Sequence, residues 1–326
     1  MVNRSESQGK LRVRVVEKTV EADGICSFLL KPVDAGSLPA FTPGAHIDVH
    51  LENGLTRQYS LCSDFAAGDH YQIAVLREPN SRGGSVAMHD TVQVGAVLTV
   101  SEPRNHFALD EGSSHCLLMA GGIGITPLLS MTHKLLKDRR SFDLHYSSRS
   151  LSRMAFAERI RASELAHRAQ LHLDDGPPEQ ALDVRAILAQ APAGTHLFVC
   201  GPKGYIDHVT GTAKEVGWPL DRIHFELFGA PASTTEADGS FEVELARSSR
   251  TVHVPANQTI LEALRAAGLD ADTSCEQGVY GTCLTKVLSG TCDHRDVYLT
   301  QAEQESNDQI LLCVSRAKTL RLVLDL

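Results

Sequence analysis

The stretch LLMAGGIGITPLLSM, residues 117–131, sets the fold class of the central part of the chain. A short apolar run, typical of a buried strand, ends in glycines, and apolar residues then recur at helical spacing. Gly121, Gly122 and Gly124 would let the backbone approach a ligand closely, and the free N–H groups of the helix start favour a phosphate. The turn departs from the G-x-G-x-x-G fingerprint. Taken alone, it is as compatible with an ordinary tight turn as with a nucleotide-binding site.

Strand-like and helix-like segments alternate downstream of this turn, which predicts a parallel sheet with helical crossovers. A second strand, in THLFVCGPKG, ends at Cys200, Gly201 and Pro202. Ligands of such sheets bind outside the carboxyl ends of the strands. Cys200 alone could be a small buried residue, but two such turns in one sheet favour a nucleotide-binding domain.

Upstream, residues 10–108 read as short strands separated by glycine, proline and asparagine turns, which predicts an antiparallel β-barrel. In TRQYSLC, the side chains of Arg57 and Tyr59 would share one face of a strand and that of Ser60 the other. An arginine fork suits a phosphate, and a tyrosine offers a flat ring and a hydroxyl. A polar strand edge would show the same residues.

The turn SRGGS offers a second phosphate cradle at the start of a short helix. Its polar and glycine positions are Arg82, Gly83, Gly84 and Ser85. A glycine-rich hairpin is the alternative interpretation of this segment.

Bulk composition narrows the function classes. The chain has 326 residues, 42% of them hydrophobic, and a formal net charge of -9. That charge disfavours a nucleic-acid-binding protein, which needs a basic face. The N-terminal residues lack the apolar core of a signal peptide, and no apolar run has the length of a membrane span. We therefore expect a cytoplasmic protein, monomeric by default, without nucleic-acid or membrane partners.

Four of the eight cysteines are crowded near the C-terminus, beyond a small polar segment that reads as a linker. Cys275, Cys283 and Cys313 match three positions of the C-x4-C-x2-C pattern, with a distant fourth cysteine, of plant-type [2Fe–2S] clusters. Tyr280 occupies the remaining ligand position. A secreted disulfide framework is a poor explanation in a chain of this length.

Three explanations of Tyr280 stay open. The cluster could be absent or impaired, because these irons prefer thiolate ligands. Tyr280 could ligate through its phenolate, or Cys292 could take its place, although Cys292 lies nine positions beyond Cys283 along an expected strand. We expect a ferredoxin fold whose cluster is missing, partial or impaired.

In this order, the segments resemble the phthalate dioxygenase reductase family, including the reductase components of vanillate demethylase-type oxygenases. The resemblance rests on RQYSLC, AVLREPNSRGGS, MAGGIGITPLLSM, CGP, HFELFGA, VPANQTILEALRAAG and CVSRAK. It implies a multidomain protein: an FMN-binding antiparallel β-barrel of the ferredoxin-reductase type, an NAD-binding α/β domain with a parallel sheet, a linker and an α+β β-grasp ferredoxin-like domain. The implied boundaries are 1–110, 111–228, 229–240 and 241–326.

The resemblance also assigns roles to particular residues. The implied flavin-binding residues are Arg57, Tyr59, Ser60, Arg82, Gly84 and Ser85. The implied nucleotide-binding residues are Gly121, Gly122, Gly124, Thr126, Cys200 and Gly201. Phe228 would lie against the flavin ring with Glu226 nearby, so the expected catalytic set is Ser60, Cys200, Glu226 and Phe228. Cys275, Cys283 and Cys313 would ligate the cluster, while Tyr280 departs from the family's cysteine and Cys292 from its usual proline.

The choice of nucleotide rests on charges near the strand AQLHL. Asp174 and Asp175 follow it, where a carboxylate could accept from a ribose hydroxyl and repel a 2′-phosphate. Arg149 and Arg153 would instead attract that phosphate, and the acidic pair could also be a turn signal. The acidic pair favours NADH.

The resemblance therefore implies an NADH-dependent oxidoreductase that passes electrons through FMN and a [2Fe–2S] cluster to a Rieske-type oxygenase. The alternative is a redox-sensing or protein-binding module that uses a cluster-deficient ferredoxin domain.

Overall fold

The computed structural model describes residues 10–34, 36–66, 68–78, 83–228, 238–269, 271, 278, 281, 283–296 and 298–326. The chain divides into two compact units, Met1–Phe228 and Gly229–Leu326. Each unit is described by itself.

The first part of the N-terminal unit is a six-stranded antiparallel barrel with one short helix. Its strands are β1 (Lys10–Ala22), β2 (Ile25–Pro32), β3 (His46–His50), β4 (Thr56–Ser60), β5 (Tyr71–Leu76) and β6 (Val97–Ser101), and its helix is α1 (Gly84–Asp90). They pair in the order β4-β3-β6-β1-β2-β5, and a bridge between Leu61 and Ile73 brings the two edges together. Val13 and Val15 point into the core while Arg12 and Arg14 face solvent, the alternation that period-two strands require. The predicted barrel is confirmed.

The second part of this unit is a parallel sheet covered by helices. Its elements are β7 (His115–Gly121), α2 (Ile125–Lys137), β8 (Phe142–Ser148), α3 (Ala157–Arg161), β9 (Ala169–Leu173), α4 (Val184–Gln190), β10 (Thr195–Gly201), α5 (Lys203–Glu215) and β11 (Ile223–Leu227). The strand order is β11-β10-β7-β8-β9, with every pair parallel. Every residue of β7 is buried, because both faces of the sheet are covered.

One helical prediction is only partly correct. The apolar spacing of residues 153–167 predicts one continuous helix, yet α3 ends at Arg161. Phe156 adopts a left-handed conformation with φ 62°, so the helix begins only after it. The Ser163 side chain then accepts from Leu165 N and starts a separate 3₁₀ turn. These local bonds compete with the helix in a way that hydrophobic spacing does not reveal.

The C-terminal unit is a mixed sheet with a helix packed on it. Its elements are β12 (Phe241–Leu245), β13 (Arg250–Val254), α6 (Ile260–Ala266), β14 (Leu284–Ser289), β15 (Cys292–Asp293), α7 (Gln301–Ser306), β16 (Gln309–Leu311), β17 (Arg316–Ala317) and β18 (Arg321–Leu324). The main sheet has the order β13-β12-β18-β14-β16, with β12 and β18 parallel and the other pairs antiparallel. A capping box between Thr259 and Glu262 starts α6. The predicted α+β ferredoxin-like domain is confirmed.

A buried arginine ties several loops of this unit together. Arg316 is 1% exposed, and its guanidinium donates to the carbonyls of Gly239, Pro255 and Gln258. Next to it, Arg295 makes two bonds to the carboxylate of Asp238, of 2.9 and 2.7 Å. These bonds hold the segment that leads into β12 against the rest of the unit.

No helix within the described ranges is long and apolar enough to cross a membrane.

Candidate functional site

Three side chains from separate strands meet where the barrel packs on the parallel sheet. Ser60 ends β4, and its Oγ donates to Oε2 of Glu226, on β11, at 3.4 Å. Glu226 and Cys200, of β10, are direct neighbours in the parallel register. All three are buried. The structure thus brings together three of the four residues expected to form the catalytic set.

The electrostatics of this cluster keep it uncharged. Burial raises the pKa of Glu226 to about 8, and the hydrogen bond from Ser60 only partly opposes this. Burial, and then the nearby Glu226, raise the pKa of the Cys200 thiol well above its ordinary value. At neutral pH the carboxyl group and the thiol therefore both keep their protons.

The fourth expected residue, Phe228, is the last described residue of the N-terminal unit. It is partly buried and packs against the hydrophobic core that the barrel and the sheet share. Its position next to this junction is compatible with the expected place against a flavin ring.

The flavin side of the site is built from β4 and the start of α1. A Cβ on Gly84 would lie 2.4 Å from Nε of Arg57, so only glycine allows the first turn of α1 to lie so close to that guanidinium. Burial raises the pKa of Tyr59 to about 12, which keeps its hydroxyl protonated. Ser85 Oγ accepts from Glu78 N at 3.1 Å. Arg82 lies outside the described residues.

This arrangement fits the phosphate end of a flavin nucleotide. An arginine fork beside backbone N–H groups of a glycine turn is the chemistry that binds a phosphate dianion.

The nucleotide side is formed by two glycine turns packed against each other. A Cβ on Gly124 would lie 2.2 Å from the carbonyl oxygen of Cys200, and one on Gly201 would lie 3.0 Å from Cα of Gly121. Thr126 Oγ1 donates to the carbonyl of Ile123 at 3.0 Å and stabilises the first turn. A larger residue at Gly124 or Gly201 would push the two strand ends apart and fill the space in which a nucleotide could bind.

Two polar groups at the same strand ends were missed in the sequence. Ser147, at the end of β8, lies beside Gly121 in the register, and the Tyr205 ring packs on Gly121 from α5. Their hydroxyls are enclosed near each other without a well-formed hydrogen bond. Buried polar atoms of this kind fit a ligand with hydroxyl or phosphate oxygens. Neither residue belongs to a recognisable motif, so only the fold reveals them.

The charged residues expected to select the nucleotide share one loop edge. The backbone N–H of Asp174 bonds Ser148 O at 3.1 Å, and that of Asp175 bonds Arg149 O at 3.2 Å. The side chains of Asp174, Asp175 and Arg149 are exposed there, as is that of Arg153. The acidic pair and an arginine thus stand side by side, and the preference for NADH stays a prediction.

The cysteine centre is described in part. Cys283 and Cys313 are buried, and their sulfurs lie 3.2 Å apart, close enough to share one iron. Cys275 and Tyr280 lie outside the described residues. Cys292 is enclosed in the hydrophobic core of the C-terminal unit, and burial raises the pKa of its thiol to about 11. Cys283 and Cys313 therefore fit a [2Fe–2S] cluster, while the sequence has the phenol of Tyr280 at the remaining ligand position.

Glycines shape the loop around this centre. Gly278 has a φ of 72°, and a Cβ there would lie 2.5 Å from the Val314 side chain. Gly281 has a φ of 74°, and a Cβ there would meet the Tyr298 ring at 2.3 Å. A loop that must pass this close to its neighbours requires glycine at both positions.

A histidine beside Ser60 was also missed in the sequence. His46 begins β3 and lies directly opposite Ser60 in the antiparallel register. It is 3% exposed, and its Nε2 is buried without a hydrogen-bond partner. The sequence places His46 at the start of an expected strand. It does not show which residue lies opposite His46, because that depends on the register of strand pairing.

Comparisons with known proteins agree with this architecture. Residues 243–318 match the family of 2Fe-2S iron-sulfur cluster binding domains, and residues 100–223 match the N-terminal domain of dimethylamine monooxygenase subunit DmmA-like proteins. The chain is 48% identical to a vanillate O-demethylase oxidoreductase of a Pseudomonas species, covering 94% of this chain and 96% of that protein. It is 39% identical to a phthalate dioxygenase reductase of Burkholderia cepacia, covering 98% and 99%.

A solved phthalate dioxygenase reductase, described as a modular structure for electron transfer from pyridine nucleotides to [2Fe–2S], has a TM-score of 0.71 and 40% identity, covering 98% of this chain and 99% of that one. Fold and site together define the chain as an oxidoreductase of the multidomain ferredoxin-reductase type. It belongs to the family of the vanillate O-demethylase oxidoreductases and phthalate dioxygenase reductases.

Proposed function

We propose that the chain takes hydride from NADH onto FMN and passes single electrons through its C-terminal domain to a Rieske-type oxygenase. The observation that carries the proposal is the buried junction of Ser60 with Glu226 and Cys200. It joins the strand expected to contact a flavin to the two strands expected to contact a nicotinamide. Two cofactors that must exchange hydride need such a shared wall.

Each cofactor has residues that would hold it. Arg57 and the start of α1 would hold the flavin phosphate, with Tyr59 against the flavin and Ser60 donating a hydrogen bond to it. The glycine turns at Gly121 and Cys200 would hold the nucleotide. The flavin supplies the redox chemistry, since it accepts two electrons together and can release them one at a time. Phe228 would leave its place against the flavin when nicotinamide enters.

In this proposal the neutral, protonated state of the Glu226 carboxyl favours hydride transfer. A hydride moves toward the flavin with its electron pair, and a fixed negative charge beside its path would oppose the approach. Burial keeps the Glu226 carboxyl protonated at neutral pH. The protonated group can still hold the Ser60 hydroxyl in place.

NADH as the donor is supported by Asp174 and Asp175, whose carboxylates would repel a 2′-phosphate. The adjacent Arg149 opposes this preference. Removing both acidic side chains should therefore improve the use of NADPH more than it harms the use of NADH.

The oxygenase partner is proposed from the family and from charge. Residues 241–326 carry 8 Lys and Arg against 12 Asp and Glu, which suits docking to a basic surface. Cys275, Cys283 and Cys313 would ligate the cluster through which the electrons leave.

We also propose domain boundaries at residues 110, 228 and 240 and a cytoplasmic location. Cys26, Cys62, Cys116, Cys200 and Cys292 are free thiols, as in proteins of a reducing compartment.

The flavin is tested by the visible spectrum and cofactor analysis of the purified full chain. We expect yellow protein that binds FMN and reduces ferricyanide rapidly with NADH. Protein that neither contains nor takes up FMN would rule out the proposed function.

Tyr280 favours a second candidate, a redox-sensing or protein-binding module without a working cluster. The Tyr280→Cys variant separates the two. If this position limits electron delivery, the variant gains iron and faster reduction of cytochrome c, while its rate with ferricyanide stays the same. Unchanged iron content and unchanged cytochrome c reduction in the variant would show that Tyr280 does not limit cluster assembly.

A further inference from the structure

The position of His46 next to Ser60 follows from the hydrogen bonds of β3. His46 N donates to Arg104 O at 2.8 Å, and Arg104 N donates to His46 O at 3.0 Å. Both backbone groups of His46 are thus used on the side away from β4. His46 and Ser60 therefore form the antiparallel pair without mutual hydrogen bonds, in which the side chains lie closest and on one face.

The imidazole has an unused polar atom at this place. Its Nε2 is buried without a partner, which is unfavourable for a polar group. The neighbouring Ser60 hydroxyl already reaches Glu226. A hydroxyl donates once and accepts twice, so when the protonated Glu226 carboxyl donates to Ser60, Ser60 can donate to the imidazole. Ser60 thus stands between a buried carboxyl and a buried imidazole.

The proposed reaction requires a route for a proton. Oxidation of NADH to NAD⁺ releases two electrons and one proton. Hydride delivers all three together, whereas a one-electron acceptor such as ferricyanide removes electrons only. One proton for each NADH must therefore leave the enclosed site.

We propose that His46 relays this proton from the Ser60 hydroxyl toward the partly exposed His106, whose ring centre lies 5.5 Å from that of His46. The inference rests on the proposed function, and it assigns His46 a role that acts through Ser60. In the relay one ring nitrogen takes up a proton while the other releases one, so the imidazole starts and ends neutral.

The surroundings of His46 suit a relay. Burial, His106 and Arg104 lower its pKa to about 4, and only Asp48 acts in the opposite direction. Glu226, which is hydrogen-bonded to Ser60, is itself neutral at pH 7. His46 is therefore neutral across the physiological range and does not store the proton.

Variants of the FMN-loaded full chain test the relay by rapid mixing. In His46→Gln, we expect NADH to reduce the flavin at a rate within about twofold of wild type, while reoxidation by ferricyanide slows about tenfold or more. In His46→Ala, added imidazole should restore reoxidation, which a merely structural role would not allow. His50→Gln is the matched control, because His50 lies on the same strand opposite Thr56 and is only partly buried there.

A second readout does not depend on activity. In wild-type apoprotein with ¹⁵N-labelled histidine, addition of FMN should shift the Nε2 resonance of His46, assigned by its loss in His46→Gln, because Ser60 becomes engaged with the flavin. Equal reoxidation rates in wild type and His46→Gln, or an unshifted resonance, would overturn the relay. Wild-type protein that binds no FMN or is not reduced by NADH would overturn the proposed function instead.

Discussion

Glu226 is an acidic residue that three strands enclose at the junction of barrel and sheet. The resemblance of HFELFG to the family placed it near the active site, but its protonation state depends on burial. Because burial raises its pKa to about 8, its charge appears only at mildly alkaline pH. We therefore expect this side chain to link the pH of the solution to the proposed hydride step.

This link predicts the pH dependence of flavin reduction. Below pH 8 Glu226 is neutral, and above it the carboxylate forms beside the hydride path. We expect the rate of flavin reduction by NADH to fall above about pH 8 in wild type and to stay level in Glu226→Gln. Rapid mixing across pH 6–10 measures both profiles.

The control for this prediction is Glu17→Gln, which removes an exposed carboxylate on β1. It should reproduce the wild-type profile. An identical decline in Glu226→Gln would assign the pH dependence to another group.

Site residues that belong to sequence motifs could be predicted. A residue whose place at the site depends on the register of strand pairing could not. Ser60, Cys200 and Glu226 were expected at one site, and the structure brings them together. His46 was not, because a strand pattern does not state which residue lies opposite. Arg82 and Cys275 lie outside the described residues, so their assigned roles stay predictions.

At the scale of elements, the loops of the C-terminal unit depend on one buried cation. Arg316 satisfies the carbonyls of Gly239, Pro255 and Gln258, which precede β12 or lie between β13 and α6. Without the guanidinium these part-buried oxygens would lose this donor, although the Pro255 carbonyl would still accept from Gln258 N. Each unsatisfied group costs about 1–3 kcal/mol.

Arg316→Met should therefore destabilise the C-terminal unit by about 3–5 kcal/mol. We expect faster native-state hydrogen exchange of the amides of β12 and β18, with exchange in β7 and β10 unchanged.

The matched control is Arg247→Met, which removes an arginine whose ion pair with Asp325 is exposed. Exposed pairs contribute about 0–1 kcal/mol, so protection should hardly change. Equal protection of β12 in wild type and Arg316→Met would contradict this account of the buried arginine.

Elements with a strong pattern were predicted best. The strand before the first glycine turn and the helix after it form as expected, because burial and periodicity agree there. The segment 153–167 was predicted less well, since the left-handed Phe156 and the Ser163 side chain divide it.

At the scale of the whole molecule, the buried histidines are unevenly distributed. In the described part of the chain, every histidine with a lowered pKa lies in Met1–Phe228: His46, His133, His145, His172 and His224. Two of them form a stacked pair, with 3.0 Å between Nδ1 of His145 and Nε2 of His172. Burial is the main cause of each shift.

This distribution predicts an acid-sensitive N-terminal unit. A histidine with a lowered folded pKa contributes stability that is fully present above its unfolded pKa of about 6.5 and is lost as pH falls toward its folded pKa. For His46 and His145, with pKa values of about 4, the loss is about 3 kcal/mol each. Urea unfolding between pH 7 and 5, followed by the single tryptophan, Trp218, should show a falling midpoint.

The double variant His145→Gln with His172→Gln should have a flatter dependence on pH than wild type, whatever its stability at pH 7. A wild-type midpoint that does not change between pH 7 and 5 would contradict the prediction.

Local patterns in the chain were sufficient for the barrel, the parallel sheet and the ferredoxin-like unit, because periodicity and glycine placement report short-range geometry. They did not reveal that His46 faces Ser60, that Tyr205 covers Gly121, or that Glu226 is neutral. Those properties arise from contacts between residues far apart in the chain. Strand register and burial, which set the distances and the local dielectric, exist only once the units have folded.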